Sequence, residues 1–102
     1  MDFLVVMRMR DPKDAELQRK RAEWRPAHLE RASGFRERGH LVLGGALFDD
    51  AGNPAGSAVI ARFDSRADLD AWLKDDPWVV NGVYTEFDIT PFKIAPHYLD
   101  GH

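Results

Sequence analysis

The 102-residue sequence contains no cysteine. This absence excludes a disulfide framework, a thiolate metal site and a cysteine nucleophile. Long hydrophobic runs are missing as well, because the apolar stretch from Phe3 to Met7 is too short for a signal-peptide core or a membrane span. We therefore expect a cytoplasmic protein that is held together by packing and has no membrane partner.

The composition is that of an ordinary globular protein. Hydrophobic residues make up 44% of the chain and charged residues 30%, which favours a stable fold. The length is sufficient for one hydrophobic core but not for two. No repeat or linker interrupts the sequence, so we expect a single domain over residues 1–95 and a C-terminal tail over residues 96–102.

Basic residues are concentrated in the first part of the chain. Residues 1–38 carry ten Lys or Arg against seven Asp or Glu, whereas residues 39–102 carry four against ten. Glutamates recur among these arginines at seven-residue intervals, at Glu16, Glu23, Glu30 and Glu37. The pattern favours a solvated helix face with ion pairs over a phosphate-binding stripe. Because no nucleic-acid-binding module is visible either, we expect no nucleic-acid partner.

Changes in hydrophobic period predict six elements in the order βαββαβ. The predicted elements are a strand at residues 3–7, a helix from Asp11-Pro12 to Gly39, strands at 40–48 and 57–63, a helix from Asp64-Ser65 to Asp75-Asp76, and a strand at 83–90. Right-handed crossovers make this a ferredoxin-like α+β fold. We expect a four-stranded antiparallel sheet with strand order 4-1-3-2 and two helices on one face.

One face of this predicted sheet has no cover. Apolar side chains point away from the helices at Leu4, Val6, Val42, Ala58 and Ile60. A second copy of the chain, packed sheet against sheet, is the simplest way to remove them from water. We therefore expect a homodimer.

The segment Arg25-Pro26-Ala27-His28-Leu29 places a proline inside an otherwise helical pattern. Proline costs about 3 kcal/mol in a helix interior but little at the first helical position, so Pro26 predicts a new helix start or a kink. A new start would place His28 in a first turn facing the sheet, where the helix dipole favours the neutral ring that a general base requires. The commoner role of a lone inward-facing histidine is that of a core residue bonded to a backbone carbonyl.

Asp76 precedes Pro77 and forms the clearest N-cap signature in the chain, and capping alone is the more frequent role of such an aspartate. In the predicted fold, however, the segment before the last strand can lie at the same rim of the sheet as the first helix. A carboxylate at that rim could orient and stabilise His28, as acid–base sites require. Asp75 is the weaker candidate because no proline follows it.

These residues resemble those of the YCII-related proteins over nearly the whole chain. The matching segments are residues 25–29, Gly45, Gly56-Ser57, Asp76-Pro77-Trp78, Gly82-Val83-Tyr84 and Thr90-Pro91-Phe92-Lys93. The resemblance implies a dimeric ferredoxin-like α+β barrel with an active-site pair at His28 and Asp76. The chain departs from the family at Ala46 and Ala58, where proline and threonine are usual, but neither touches the pair. Trp78 stands where the family has Phe or Tyr and would narrow or reshape a pocket, so the resemblance carries no substrate identity across.

Five further residues are candidates for substrate binding, namely Arg25, Gly45, Ser57, Trp78 and Tyr84. The planar guanidinium of Arg25 could hold a carboxylate, and the hydroxyls of Ser57 and Tyr84 could hydrogen-bond a ligand, although structural roles are commoner for all three. Gly44-Gly45 lies within a strand pattern and indicates a close approach or a bulge. The histidines show no metal-ligand spacing, and we expect neither a metal nor a cofactor.

Three hypotheses for function follow. The first is a cofactor-independent enzyme of the isomerase or lyase type, in which His28 moves a proton on a small cyclic or carboxylated molecule while Asp76 fixes the tautomer of the ring. The second is a non-catalytic homodimer that binds a small molecule or regulates a partner. The third is a structural dimer in which His28 is a core residue and Asp76 a helix cap.

Overall fold

The computed structural model describes residues 1–99. Its elements are β1 (Asp2–Arg8), α1 (Ala15–Glu37), β2 (Leu41–Phe48), β3 (Pro54–Arg62), α2 (Arg66–Lys74), α3 (Pro77–Val80), β4 (Glu86–Phe92) and a closing 3₁₀ turn (Pro96–Tyr98). The predicted order βαββαβ is confirmed, with the one-turn helix α3 added to it. Residues 100–102 of the predicted tail lie outside the described residues.

The sheet is antiparallel with strand order β2-β3-β1-β4, which confirms the predicted ferredoxin-like α+β class. Phe3, Val5 and Met7 point toward the helices and are at most 2% exposed. Leu4 and Val6 point to the opposite face and are half-buried. The apolar open face on which we expect a second copy is therefore present, and the homodimer stays a prediction.

Helix α1 differs from the prediction at its start and at Pro26. Asp14 caps the helix by accepting hydrogen bonds from the backbone N–H groups of Glu16 and Leu17, so Asp11 is not the cap. The helix continues through Pro26, and a new helix start at that residue is wrong. Packing of a long helix against the rest of the fold can override the local cost of one proline. His28 consequently lies in the helix interior, and the first-turn dipole argument does not apply to it.

The end of α1 follows the sequence closely. Gly39 has φ +83°, a left-handed conformation that glycine adopts without strain. The N–H of His40 donates to the Phe35 carbonyl at 2.9 Å and that of Gly39 to the Arg36 carbonyl at 2.9 Å. This is a Schellman C-cap, and it stops the helix where the glycine predicts.

Strand β4 begins three residues later than predicted. The N–H groups of Val83 and Tyr84 both donate to the carbonyl of Trp78 and thereby close α3. Gly82, with φ +71°, permits this reversal of the chain. The predicted strand over residues 83–90 fails at its start because Val83 and Tyr84 are buried and do not pair in the sheet.

The glycine pair in β2 has one of its two predicted roles. A Cβ on Gly44 would lie 3.0 Å from Val59 Cγ2, so Gly44 marks a close approach, whereas a Cβ on Gly45 would meet no atom within 4 Å. The register shifts between β2 and β3 fall between Leu41 and Leu43 and between Leu47 and Phe48, on either side of the glycines, so the close approach is the alternative that is confirmed.

None of the helices in residues 1–99 combines the length and the hydropathy needed to span a membrane.

Candidate functional site

A cavity of about 460 Å³ opens between α1 and the sheet. Its walls come from α1, from strands β1, β2 and β3, with most of the sheet residues on the edge strand β2, and from α2 and the segment that contains α3. All seven residues selected from the sequence line it: Arg25, His28, Gly45, Ser57, Asp76, Trp78 and Tyr84. The fold thus brings to one cavity residues that lie on several different segments of the chain.

His28 and Asp76, 48 positions apart, are joined by a hydrogen bond between Nδ1 and Oδ2 at 2.8 Å. The Asp76 side chain is 4% exposed and that of His28 13% exposed, so the carboxylate is sealed while the ring reaches solvent. With a carboxylate as acceptor, Nδ1 carries a proton, and in the neutral ring Nε2 then has a free lone pair. Within residues 1–99, Nε2 has no hydrogen-bond partner, and it is not among the sealed atoms.

The Asp76 carboxylate has two further contacts. Its Oδ1 accepts a hydrogen bond from the Trp78 N–H at 2.9 Å, so Asp76 is the N-cap of α3 as well as the partner of His28. Arg31 Nη1 lies 4.0 Å from Oδ2, and Arg31 Nη2 donates to the Trp72 carbonyl at 2.8 Å. Asp76 therefore orients the imidazole of His28, and the Arg31 guanidinium offsets part of the negative charge of the Asp76 carboxylate.

Trp78 packs against two other residues of the site, His28 and Arg21. Its indole ring stacks on the His28 ring with centroids 3.8 Å apart and planes at 17°. Its Nε1 donates to the Arg21 carbonyl at 2.9 Å, and the Arg21 guanidinium carbon lies 4.7 Å from the ring centroid. At 3% exposure the indole is fixed by packing, so it holds the imidazole in one orientation.

The remaining candidates differ in how freely they could meet a ligand. The Ser57 hydroxyl donates to the Gly45 carbonyl at 3.2 Å and so links β3 to β2, while its oxygen keeps the capacity to accept. Arg25 is exposed and makes no ion pair among residues 1–99. Gly45 presents exposed backbone to the cavity.

Tyr84 is 1% exposed, and its hydroxyl has no hydrogen-bond partner among residues 1–99. Burial raises the pKa of this phenol. The nearby Arg21 guanidinium partly counteracts that rise in pKa, although no hydrogen bond of ordinary geometry joins the two side chains. The Asp76 charge adds a smaller upward contribution to the pKa.

Three arginines at or beside the cavity were not predicted from the sequence. Arg21 and Arg36 line it, and Arg31 contacts Asp76 from outside the lining. A signal for two of them exists, because residues 21, 25, 28, 32 and 36 follow one another at helical spacing and share a face of α1. The predicted ion pairs do form on the outer face, where Arg19 contacts Glu16 and Glu23.

His40, at the start of β2, has a structural environment. Its Nδ1 lies 2.8 Å from the Arg62 carbonyl, and its ring stacks on Phe63 with centroids 4.5 Å apart.

No group of three or more His, Asp or Glu side chains in residues 1–99 has the arrangement of a metal site.

The family model of the YCII-related domain matches residues 2–93. The chain belongs to the YCII-related family. Protein YciI of Escherichia coli O6:H1 is 39% identical over 80 residues, which cover 72% of this chain and 82% of that protein. An uncharacterized protein of Haemophilus influenzae is 34% identical over 80 residues with the same coverage of both chains. The family resemblance inferred from the motifs is confirmed.

A solved structure with a similar fold is the 5-chloro-2-hydroxyhydroquinone dehydrochlorinase TftG of Burkholderia phenoliruptrix, in complex with 2,5-dihydroxybenzoquinone. The TM-score is 0.77 at 22% identity, over 95% of this YCII-related chain and 98% of that chain. At this level of identity the likeness establishes a shared fold.

Proposed function

We propose that the protein is an enzyme in which His28 moves a proton on a small organic molecule and Asp76 orients and stabilises the imidazole. The observation that carries this proposal is the accessible Nε2 of a ring whose other nitrogen is bonded to a sealed carboxylate, at the wall of a cavity of about 460 Å³. The volume suits a small molecule. No cofactor takes part in the proposed reaction.

The proposed chemistry begins with Nε2 accepting a proton from the substrate. The imidazolium that forms is stabilised by the Asp76 carboxylate, and such acid–base assistance contributes about 10²- to 10⁴-fold in rate. The electron pair left on the substrate either shifts and is reprotonated at another atom by His28, which is an isomerisation, or expels a leaving group, which is an elimination. Both reactions balance without an oxidant or a reductant.

The fold neighbour gives limited support to the elimination alternative. Its name states that it is a dehydrochlorinase, and its complex holds a dihydroxylated six-membered ring. Removal of hydrogen and chloride requires a base to take the proton, which is the role that we propose for His28. The site geometry of this chain, and not the fold, carries the proposal.

The test is proton exchange on a panel of lactones and hydroxylated rings in deuterated water, followed by NMR and mass spectrometry. We expect the wild type to incorporate deuterium or form product with at least one compound, and His28→Asn to lose at least about 10²-fold of that rate. His40→Asn is the matched control because His40 lies outside the cavity lining. Turnover by His28→Asn at the wild-type rate would refute the proposal.

The same cavity supports a second candidate function, binding of a small molecule without chemistry. Arg21 and Arg25 line it without carboxylate partners among residues 1–99, a feature that favours retention of an anionic ligand whether or not it reacts. In that case metabolites captured by the protein are released unchanged, and His28→Asn lowers affinity without altering any product.

We further propose that the protein acts as a cytoplasmic homodimer. Support for the dimer comes from the open sheet face, where Leu4, Val6, Ala58 and Ile60 remain partly exposed in the single chain. Sheet-on-sheet packing would remove this apolar surface from water.

A further inference from the structure

The cavity carries positive charge that its own carboxylate does not balance. Arg21, Arg25 and Arg36 line it, whereas Asp76 is the one carboxylate in its lining among residues 1–99. That carboxylate already contacts His28 and lies near Arg31. A cavity with unbalanced positive charge and mostly apolar walls attracts a small molecule that is itself an anion.

The environment of Arg21 suits anion binding better than that of Arg25 or Arg36. It is half-buried with its guanidinium over the Trp78 ring, and its Nε is sealed from water without a hydrogen-bond partner among residues 1–99. Arg36 instead donates to the carbonyls of Leu41 and Val42 and is exposed. An anion gains more binding free energy from a fixed, partly desolvated guanidinium than from a mobile, exposed one. Arg21 is therefore favoured over Arg25 and Arg36 as the anion-binding residue.

The position of Arg21 relative to His28 is also suitable. The His28 ring lies 3.8 Å from the Trp78 ring centroid and the Arg21 guanidinium carbon 4.7 Å from it. Both groups therefore border the same indole. Both also line the same cavity, so we expect a ring-sized molecule with its anionic oxygen on Arg21 to place an exchangeable proton in the space that His28 lines.

Tyr84 lines the same cavity and packs edge-on against Trp78. Its hydroxyl is sealed from water, lacks a hydrogen-bond partner within residues 1–99 and lies near the Arg21 guanidinium. Burial of an unpartnered hydroxyl costs free energy. Because the Arg21 guanidinium is the donor group next to this oxygen, we expect the two side chains to restrain each other, which makes Tyr84 a candidate positioning residue for Arg21.

We propose that the cavity binds a ring-sized organic anion, a carboxylate or phenolate, and that Arg21 holds its anionic oxygens. This inference rests on the proposed function only in placing the reactive proton near His28. Anion binding itself requires no turnover. It also moves the anion-holding role from Arg25, the residue selected from the sequence, to the residue one helical turn before it.

Calorimetric titration at neutral pH with benzoate, 2,4-dinitrophenolate and the neutral benzamide tests the proposal. We expect saturable binding of at least one anion, binding of benzamide about tenfold weaker or more, and a loss of about tenfold or more in affinity for that anion in Arg21→Gln. The two anions distinguish a carboxylate site from a phenolate site. Arg19→Gln is the matched control because Arg19 lies on the same helix and pairs with Glu16 and Glu23.

Two conservative variants distinguish a specific loss of anion binding from a loss caused by misfolding. Arg21→Lys retains the charge without the planar fork and should bind more tightly than Arg21→Gln but more weakly than the wild type. Tyr84→Phe retains the ring and should weaken anion binding without changing the affinity for benzamide. No saturable binding of either anion, equal affinities of the wild type and a folded Arg21→Gln, or benzamide binding as tight as anion binding would each overturn the inference.

The same titration with His28→Asn separates this inference from the proposed function. Anion affinity near that of the wild type, together with lost turnover, supports both. Turnover retained in His28→Asn refutes the catalytic role of His28 but leaves the anion site standing. Affinity that does not depend on Arg21 refutes the anion site but leaves the chemistry of His28 standing.

Discussion

Substitutions at Asp76 separate its role as a helix cap from its role beside His28. Asp76→Asn keeps an oxygen that can accept from the Trp78 N–H, and asparagine is as good an N-cap as aspartate. It removes the negative charge that faces His28 Nδ1 and Arg31. Asp76→Ala removes the cap oxygen as well as the charge, so its effect should be larger.

The magnitudes follow from the near-complete burial of this carboxylate, whose side chain is 4% exposed. Loss of the charge-assisted hydrogen bond to His28 costs about 1.5–3 kcal/mol, which we expect for Asp76→Asn. Asp76→Ala also loses the cap, at about 1 kcal/mol, so we expect about 2.5–4 kcal/mol for this variant. Since 1 kcal/mol corresponds to about 4–8 °C for a domain of this size, Tm should fall by at least about 6 °C for Asn and about 10 °C for Ala.

Thermal and urea unfolding followed by circular dichroism measure these differences. Asp75→Asn and Asp75→Ala are the controls, because Asp75 is exposed and its carboxylate makes no hydrogen bond among residues 1–99; both should melt close to the wild type. The nitrogen NMR signals of His28 should report protonation at Nδ1 in the wild type and a mixture of tautomers in Asp76→Asn. An Asp76→Ala protein that melts with the wild type would refute the stabilising role of the contacts between Asp76, His28 and the Trp78 N–H.

Three further predictions concern the sheet and the buried phenol. Gly56→Ala should lower Tm strongly because a Cβ there overlaps the Met7 carbonyl oxygen, whereas Gly45→Ala should leave Tm nearly unchanged since no atom lies within 4 Å of its Cβ. Burial raises the folded-state pKa of Tyr84 above its ordinary value of 10.0. The stability that the neutral phenol contributes is therefore complete below pH 10 and is lost as the pH rises through the folded-state pKa. Thermal melts above pH 10 should show a smaller fall in Tm for Tyr84→Phe than for the wild type. Ala58→Asp, on the open sheet face, should turn the proposed dimer into a monomer by sedimentation at micromolar concentration, and a wild type that is already monomeric would contradict the dimer.

The fold was predictable because the period of hydrophobic residues in the sequence indicates which side of the sheet each residue faces. Phe3, Val5 and Met7 are buried beneath the helices while Leu4 and Val6 are not, as the two-sided apolar strand predicts. Element boundaries were less predictable, because local signals compete with one another and with packing.

Two such competitions explain the errors in α1. Asp11-Pro12 is a strong local start signal, yet Asp11 accepts the Lys13 N–H in a turn and the cap lies at Asp14. Pro26 locally indicates a new helix start or a kink, yet one helix continues through it. Local propensity is a weak prior in both places, and tertiary contacts override it.

The site was predictable only in part. Helical spacing places Arg21, Arg25 and His28 on one face of α1, so these three could be grouped from the sequence alone. No periodicity connects His28 to Asp76, which lies 48 residues away. That pairing came from the predicted topology, which allows both residues at one rim of the sheet, and from the family resemblance, whereas the contact of Arg31 with Asp76 required the folded chain.

The wall between the cavity and the open sheet face links the proposed dimer to the proposed ligand. Leu43, Gly44, Gly45 and Ala46 border the cavity on one side and a shallow groove of the open face on the other. Because the two glycines have no side chains, this part of the wall is a single layer of backbone. A second copy packed on the open face would therefore restrain the wall of the cavity without touching the ligand. If that coupling exists, Ala58→Asp should weaken anion binding as well as dimer formation, and unchanged anion affinity in the monomeric variant would show that each chain builds its cavity alone.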